Sequence, residues 1–120
     1  MCLPVGYPRY MGVVGGLAGT RFGAACRDGW ADVVLAESLY VPGYWRPAAI
    51  ARSLTAVSRV LRPGGHLLIQ EWGFDPARSL AAELADAGLR EAHRVTTPAV
   101  TQQGERDVTC VAFRKPETRG

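Results

Sequence analysis

Apolar residues in this chain fall into two kinds of run. Residues 33–36 (Val-Val-Leu-Ala) and 67–69 (Leu-Leu-Ile) are continuous rather than alternating, the pattern of strands covered on both faces. Between them Ile50, Leu54, Val57 and Leu61 recur at helical spacing, while Arg52, Ser53, Arg59 and Arg62 fall largely off that stripe. Pro47 suits a first helical position, where its missing N–H costs nothing. Pro63 cannot continue the helix, and Gly64-Gly65 allow the positive φ angles of a sharp reversal. A strand, a helix and a second strand in this order predict a βαβ unit, since parallel neighbours need a crossover.

Downstream, Asp75-Pro76 pairs an N-cap with a favourable first helical residue. Leu80, Leu84 and Ala87 form the apolar stripe of that helix, and Gly88 followed by Leu89 predicts its C-cap. Residues 91–97 read as a strand and 98–106 as a polar connection. Residues 107–115 read as a final strand in which Val108, Cys110 and Ala112 oppose Thr109, Val111 and Phe113. Upstream, residues 1–10 are dominated by Pro4, Gly6, Pro8 and two tyrosines and form an irregular lead-in; residues 11–14 make a short strand weakened by glycine. The predicted class is α/β, a parallel βαβαβ progression ending in an antiparallel strand pair. Its expected organisation is a lead-in over 1–27, a body over 28–115 and a tail over 116–120.

Composition narrows the function classes. A chain of 120 residues, 48% apolar, makes one small globular domain with a core. Its net charge of +3 comes from dispersed arginines, which read as solvated surface rather than as a nucleic-acid stripe or membrane-binding helix. Cys2, Cys26 and Cys110 are too scattered for a disulfide framework or a C-x-x-C metal site, and His66 and His93 stand isolated as structural residues. No metal is expected, and a reducing, cytoplasmic setting is the default. Gly23-Ala24-Ala25-Cys26 faintly resembles a lipoprotein cleavage site, but Arg21 interrupts any apolar core before it. No run approaches the ~20 apolar residues that span a bilayer.

Gly15-Gly16-Leu17-Ala18-Gly19 invites comparison with a phosphate-cradling loop. Neither G-x-G-x-x-G nor G-K-[ST] is present, and no helix opens directly after it, so a plain glycine-rich loop is the better reading.

The central stretch carries a resemblance. Asp32-Val33-Val34 in a strand, then a helix ending Val60-Leu61-Arg62-Pro63-Gly64-Gly65, then the strand His66-Leu67-Leu68-Ile69, resembles the back half of a class I S-adenosylmethionine (SAM)-dependent methyltransferase, a partial Rossmann-like sheet. The two strands closing residues 28–115 fit the antiparallel pair that ends that family's sheet. The family's D-x-G-x-G loop, and the second-strand acid that binds the ribose, have no counterpart in residues 1–27. Where the family commonly places an acid toward the adenine amine, the nearest match is Leu17. Three explanations follow: a truncated or mis-started reading of a longer enzyme, a degenerate fold without catalysis, or a half completed by another chain.

The resemblance implies methyl transfer from SAM, and the lack of a basic groove points to a small-molecule acceptor, with neither nucleic acid nor membrane as partner. Ligands of open α/β sheets lie beyond the carboxyl ends of the strands. That position marks Glu37, Tyr40 and Glu71 as candidate catalytic residues, either a general base or a stabiliser of the sulfonium. Glu37 and Ser38 become candidate cofactor contacts, and Tyr40, Tyr44, Trp45 and Trp72 candidate walls of an acceptor pocket. The alternative function is a non-catalytic interaction or regulatory module. The edge at 33–36 then lacks a neighbour unless residues 11–14 fill it, and an open apolar edge predicts a homo-oligomer or a second chain completing the sheet.

Overall fold

The computed structural model describes residues 2–4, 11–13, 27–37, 40, 43 and 46–117. β1 (Cys2–Pro4) and β2 (Met11–Val13) pair antiparallel in a ribbon of their own. The main sheet holds β3 (Ala31–Glu37), β4 (Leu61–Trp72), β5 (Arg90–Thr101) and β6 (Gly104–Arg114) in the order β3-β4-β6-β5. Helix α1 (Pro47–Val60) makes the crossover between β3 and β4, which run parallel. Short helices α2 (Pro76–Ser79) and α3 (Ala81–Asp86) lie between β4 and β5.

The parallel progression stops after one unit. β5 follows the second helical segment as expected, but it does not pair with β4. β6 turns back and enters between them, antiparallel to both. Periodicity reports which face of a strand is buried and carries no information on which strand lies beside it. The polar connection expected over 98–106 is instead strand and hairpin. Thr101 pairs with Gly104 across a tight turn, where Thr101 Oγ1 donates to the Gly104 carbonyl at 2.8 Å and accepts from the Gln103 amide at 3.0 Å. Pro98 is tolerated because β5 is an edge strand.

One face of the sheet carries the core. Ala36, Leu67, Ile69, Val111 and Phe113 pack under Leu54, Val57 and Val60 of α1, joined by Leu61, Leu80, Leu84 and Leu89. The predicted α1 stripe is therefore the buried one, with Ile50 at its margin. The helix ends at Leu61, which turns extended. Lys115 closes that end: its Nζ donates to the carbonyls of Ser58 at 2.6 Å and Leu61 at 2.8 Å. Gly64 takes the positive φ of 82°. Gly65 is needed for a different reason, since a Cβ there would lie 2.9 Å from the Arg62 carbonyl and 3.0 Å from that of Asp32.

Asp75 caps α2 as read from the sequence, its Oδ1 accepting from the Ala77 amide at 3.0 Å. The single helix expected to follow is stepped at buried Leu80, whose φ of −114° and ψ of 19° are not helical. Gly88, at φ 75°, and Leu89 then end α3 in a Schellman arrangement. The Leu89 amide reaches the Leu84 carbonyl at 3.0 Å while both leucines are buried.

The opposite face departs from expectation. Val33 and Leu35 are 54% and 56% exposed, so β3 is not covered on both sides. Met11–Val13 pairs with Cys2–Pro4 rather than with β3, whose outer edge has no strand partner among the described residues. Nor is any described helix long and apolar enough to cross a membrane.

Candidate functional site

The carboxyl ends of the parallel pair bring Glu37 and Glu71 within one register step, because Glu37 pairs with Gln70. Alternation along the strands then separates them. Glu71 follows Leu67 and Ile69 onto the core face, whereas Glu37 follows Val33 and Leu35 onto the open one. Glu37 is exposed and makes no ion pair or hydrogen bond among the described residues.

Glu71 is 1% exposed. Its Oε2 accepts the backbone N–H of Tyr40 at 3.1 Å, and its Oε1 has no partner among the described residues. Burial raises its pKa above the ordinary carboxylate value, partly opposed by the Tyr40 hydrogen bond. Tyr40 is equally buried, at 1% exposed. Its hydroxyl lies 3.0 Å from Ser53 Oγ, which itself donates to the Ile50 carbonyl at 2.9 Å. With the Ser53 proton directed there, the phenol is the donor. Burial raises the phenol pKa, the Ser53 bond opposes the rise, and the Glu71 charge adds to it. Tyr40 thus stands as a plug between the end of β3 and helix α1. Its hydroxyl is turned toward Ser53 of helix α1. Ser38, Tyr44 and Trp45 lie outside the described residues.

Trp72 is exposed and lies on the open face, opposite Glu71. It lines a groove of about 460 Å³ with Thr101, Gln102, Gln103 and Arg106. Those four residues fall in the segment that the sequence presented as a polar connection, so their meeting with Trp72 was hidden by the wrong element. Thr101 and Gly104 flanking the pair Gln102-Gln103 was the hairpin signal available there. Ser53 was also missed, because a small polar residue beside an apolar stripe reads as helix surface. His66 and His93 stand on different strands, and no three metal-ligating side chains gather among the described residues.

No protein-family model matches the chain, and no curated protein does. Solved structures do match. A SAM-dependent methyltransferase from Methanosarcina mazei aligns with a TM-score of 0.67 at 16% identity, over 87% of this chain and 66% of that one. The N-methyltransferase NodS from Bradyrhizobium japonicum WM9 gives 0.59 at 19% identity, over 80% of this chain and 57% of its own. The 1,6-didemethyltoxoflavin-N1-methyltransferase of Burkholderia thailandensis, solved with 1,6-didemethyltoxoflavin and S-adenosylhomocysteine bound, gives 0.60 at 16% identity, over 79% and 48%. At such identities the likeness establishes the fold. This chain has the architecture of part of a class I SAM-dependent methyltransferase, and it spans between about half and two-thirds of these structures.

Proposed function

We propose that the chain forms the acceptor-side part of a SAM-dependent methyltransferase that acts on a small molecule. The observation that carries this reading is the strand order, in which a parallel pair is followed by a reversed strand inserted beside it. Ligand then lies beyond the carboxyl ends of β3 and β4. A second NodS structure and the Burkholderia structure both hold S-adenosylhomocysteine, which supports the same cofactor class here.

The residues fit that cofactor in part. Glu37, exposed at a strand end and with its side chain unpaired among the described residues, suits contact with a cationic or hydroxyl-bearing ligand, with Ser38 beside it in sequence. The described residues contain neither a D-x-G-x-G loop nor a second strand-end acid for a ribose, so they supply one wall of the site. SAM, when bound, supplies an electrophilic methyl group. The chain's own contribution is positioning and proton removal. Trp72 walls the acceptor, and Glu37 takes the proton from its nucleophilic atom. Glu71 acts indirectly, by holding the Tyr40 backbone at the end of β3. Tyr44 and Trp45 are further proposed walls by their place after β3.

The test joins this chain to any upstream coding frame that encodes a strand followed by D-x-G-x-G. The joined protein should bind SAM with a micromolar dissociation constant, near −8 kcal/mol. The chain alone should bind at least about a hundredfold more weakly, for want of charge-assisted hydrogen bonds worth roughly 1.5–3 kcal/mol each. A joined protein that binds no SAM defeats the reading. A second reading, a non-catalytic module that docks through its sheet, is favoured by the exposed Val33 and Leu35. It takes over if no such upstream frame exists.

A further inference from the structure

The groove beside Trp72 has a chemistry of its own. Its position is fixed from both sides. Trp72 pairs with Val108, and the Gly73 amide donates to the Asp107 carbonyl at 2.9 Å, which ties the end of β4 to β6. Two residues before Val108 on the same face comes Arg106, paired with Ala99 of β5. The hairpin turn then folds Gln102 and Gln103 over the same side. At about 460 Å³ the space falls within the roughly 300–1,000 Å³ of small-molecule sites.

Its lining carries one formal charge, the Arg106 guanidinium. Arg106 makes no ion pair or hydrogen bond among the described residues. The acids on either side of it, Glu105 and Asp107, alternate onto the other face of β6 and are not among the lining residues. An aromatic plane, a planar donor fork and two neutral amides therefore meet without a competing carboxylate among the described residues. Guanidinium forks match carboxylates in two parallel hydrogen bonds, and an indole face accepts a flat ring.

We infer that this groove binds a small planar carboxylate, its ring against Trp72 and its carboxylate on Arg106, with Gln102 and Gln103 as orienting amides. The inference names the acceptor class for the methyl-transfer reading and rests on that reading for its purpose. The binding itself needs no cofactor, so it can be tested separately from SAM.

The probe is benzoate, titrated into the full 120-residue chain and followed by the Trp72 indole N–H signal, assigned through Trp72→Phe. Expected is saturable movement of that signal at millimolar benzoate, with benzamide about tenfold weaker for loss of the charge. Arg106→Gln should weaken benzoate about tenfold or more, and Trp72→Leu several-fold by intrinsic fluorescence of the remaining tryptophans or by calorimetry. Both side chains line an open groove, and unchanged circular dichroism and melting temperature confirm that the variants fold. An unmoved Trp72 signal overturns the inference, as do equal binding of benzamide and wild-type affinity in Arg106→Gln. None of these outcomes bears on SAM binding by the joined protein, which judges the methyltransferase reading independently.

Discussion

The amide of Tyr40 donates to Oε2 of Glu71 at 3.1 Å, across 31 positions of chain. It is a charge-capable contact inside the core, and it ties the exit of β3 to the end of β4. The other carboxylate oxygen has no partner among the described residues. A buried group in this state is costly to ionise.

That cost makes stability depend on pH. Burial raises the Glu71 pKa in the folded protein. Below the ordinary carboxylate value, about 4.3, both states hold the proton. Above it the unfolded chain releases the proton while the folded one retains it, so this contribution is lost as pH rises through the folded pKa. Glu91 acts in the opposite direction, because its hydrogen bonds to Arg94 lower its pKa. The test is therefore the difference between wild type and Glu71→Gln in urea midpoint from pH 4 to 8. The variant should lose the falling component, and parallel curves would refute the assignment.

Tyr40 should behave as a structural residue. Tyr40→Phe removes the donor to Ser53 and should cost about 0.5–1.5 kcal/mol. Removing the whole ring in Tyr40→Ala should cost about 3–5 kcal/mol, as for other buried aromatics. In a joined, active protein Tyr40→Phe should leave the rate near wild type, while Glu37→Gln lowers it by roughly 10²–10⁴. A large rate loss in Tyr40→Phe without loss of stability would mean that the hydroxyl faces the acceptor.

Two glycines separate two kinds of constraint. Gly88 adopts φ 75° with nothing near its missing Cβ, so Gly88→Asn should cost little, since asparagine accepts the left-handed region. At Gly65 the obstacle is two carbonyl oxygens near 3 Å, and Gly65→Ala should cost about 1–3 kcal/mol by forcing β3 and the α1–β4 turn apart. Thermal denaturation of the two variants side by side gives the ranking.

The open face predicts association. Val33 and Leu35 expose more than half their surface on a strand whose outer edge has no strand partner among the described residues. Sedimentation at tens of micromolar should show oligomers, and the pair Val33→Lys with Leu35→Lys should shift them toward monomer. A wild-type monomer at that concentration counts against it.

Much of the local structure was legible because its causes are local. Pro47, the Leu54 and Val57 stripe, Asp75-Pro76 and Gly88-Leu89 each act within a turn or two of chain, and each stands where the pattern put it. What escaped was set at long range. Nothing in residues 104–114 says that this strand slides between β4 and β5, and with that insertion came the meeting of Trp72 with Arg106. The continuous run at 33–36 implied two covered faces, yet among the described residues only Val34 and Ala36 pack on the core. At the candidate site, strand-end position singled out Glu37 and Glu71 but could not tell that alternation turns them to opposite faces.

The Lys115 clamp on the end of α1 has a consequence for the order of events in folding. Its two carbonyl acceptors lie 57 and 54 positions earlier, and β6, the inner neighbour of β4, is likewise late in the chain. Synthesis proceeds from the N-terminus, so the crossover unit is made well before the residues that lock it. Until then β4 has a free inner edge and α1 a frayed last turn, and the gap must be closed by contacts of long sequence separation, which form slowly. The nascent β3–α1–β4 segment is therefore the stage at which this protein is most open to a chaperone, a protease or another copy of itself.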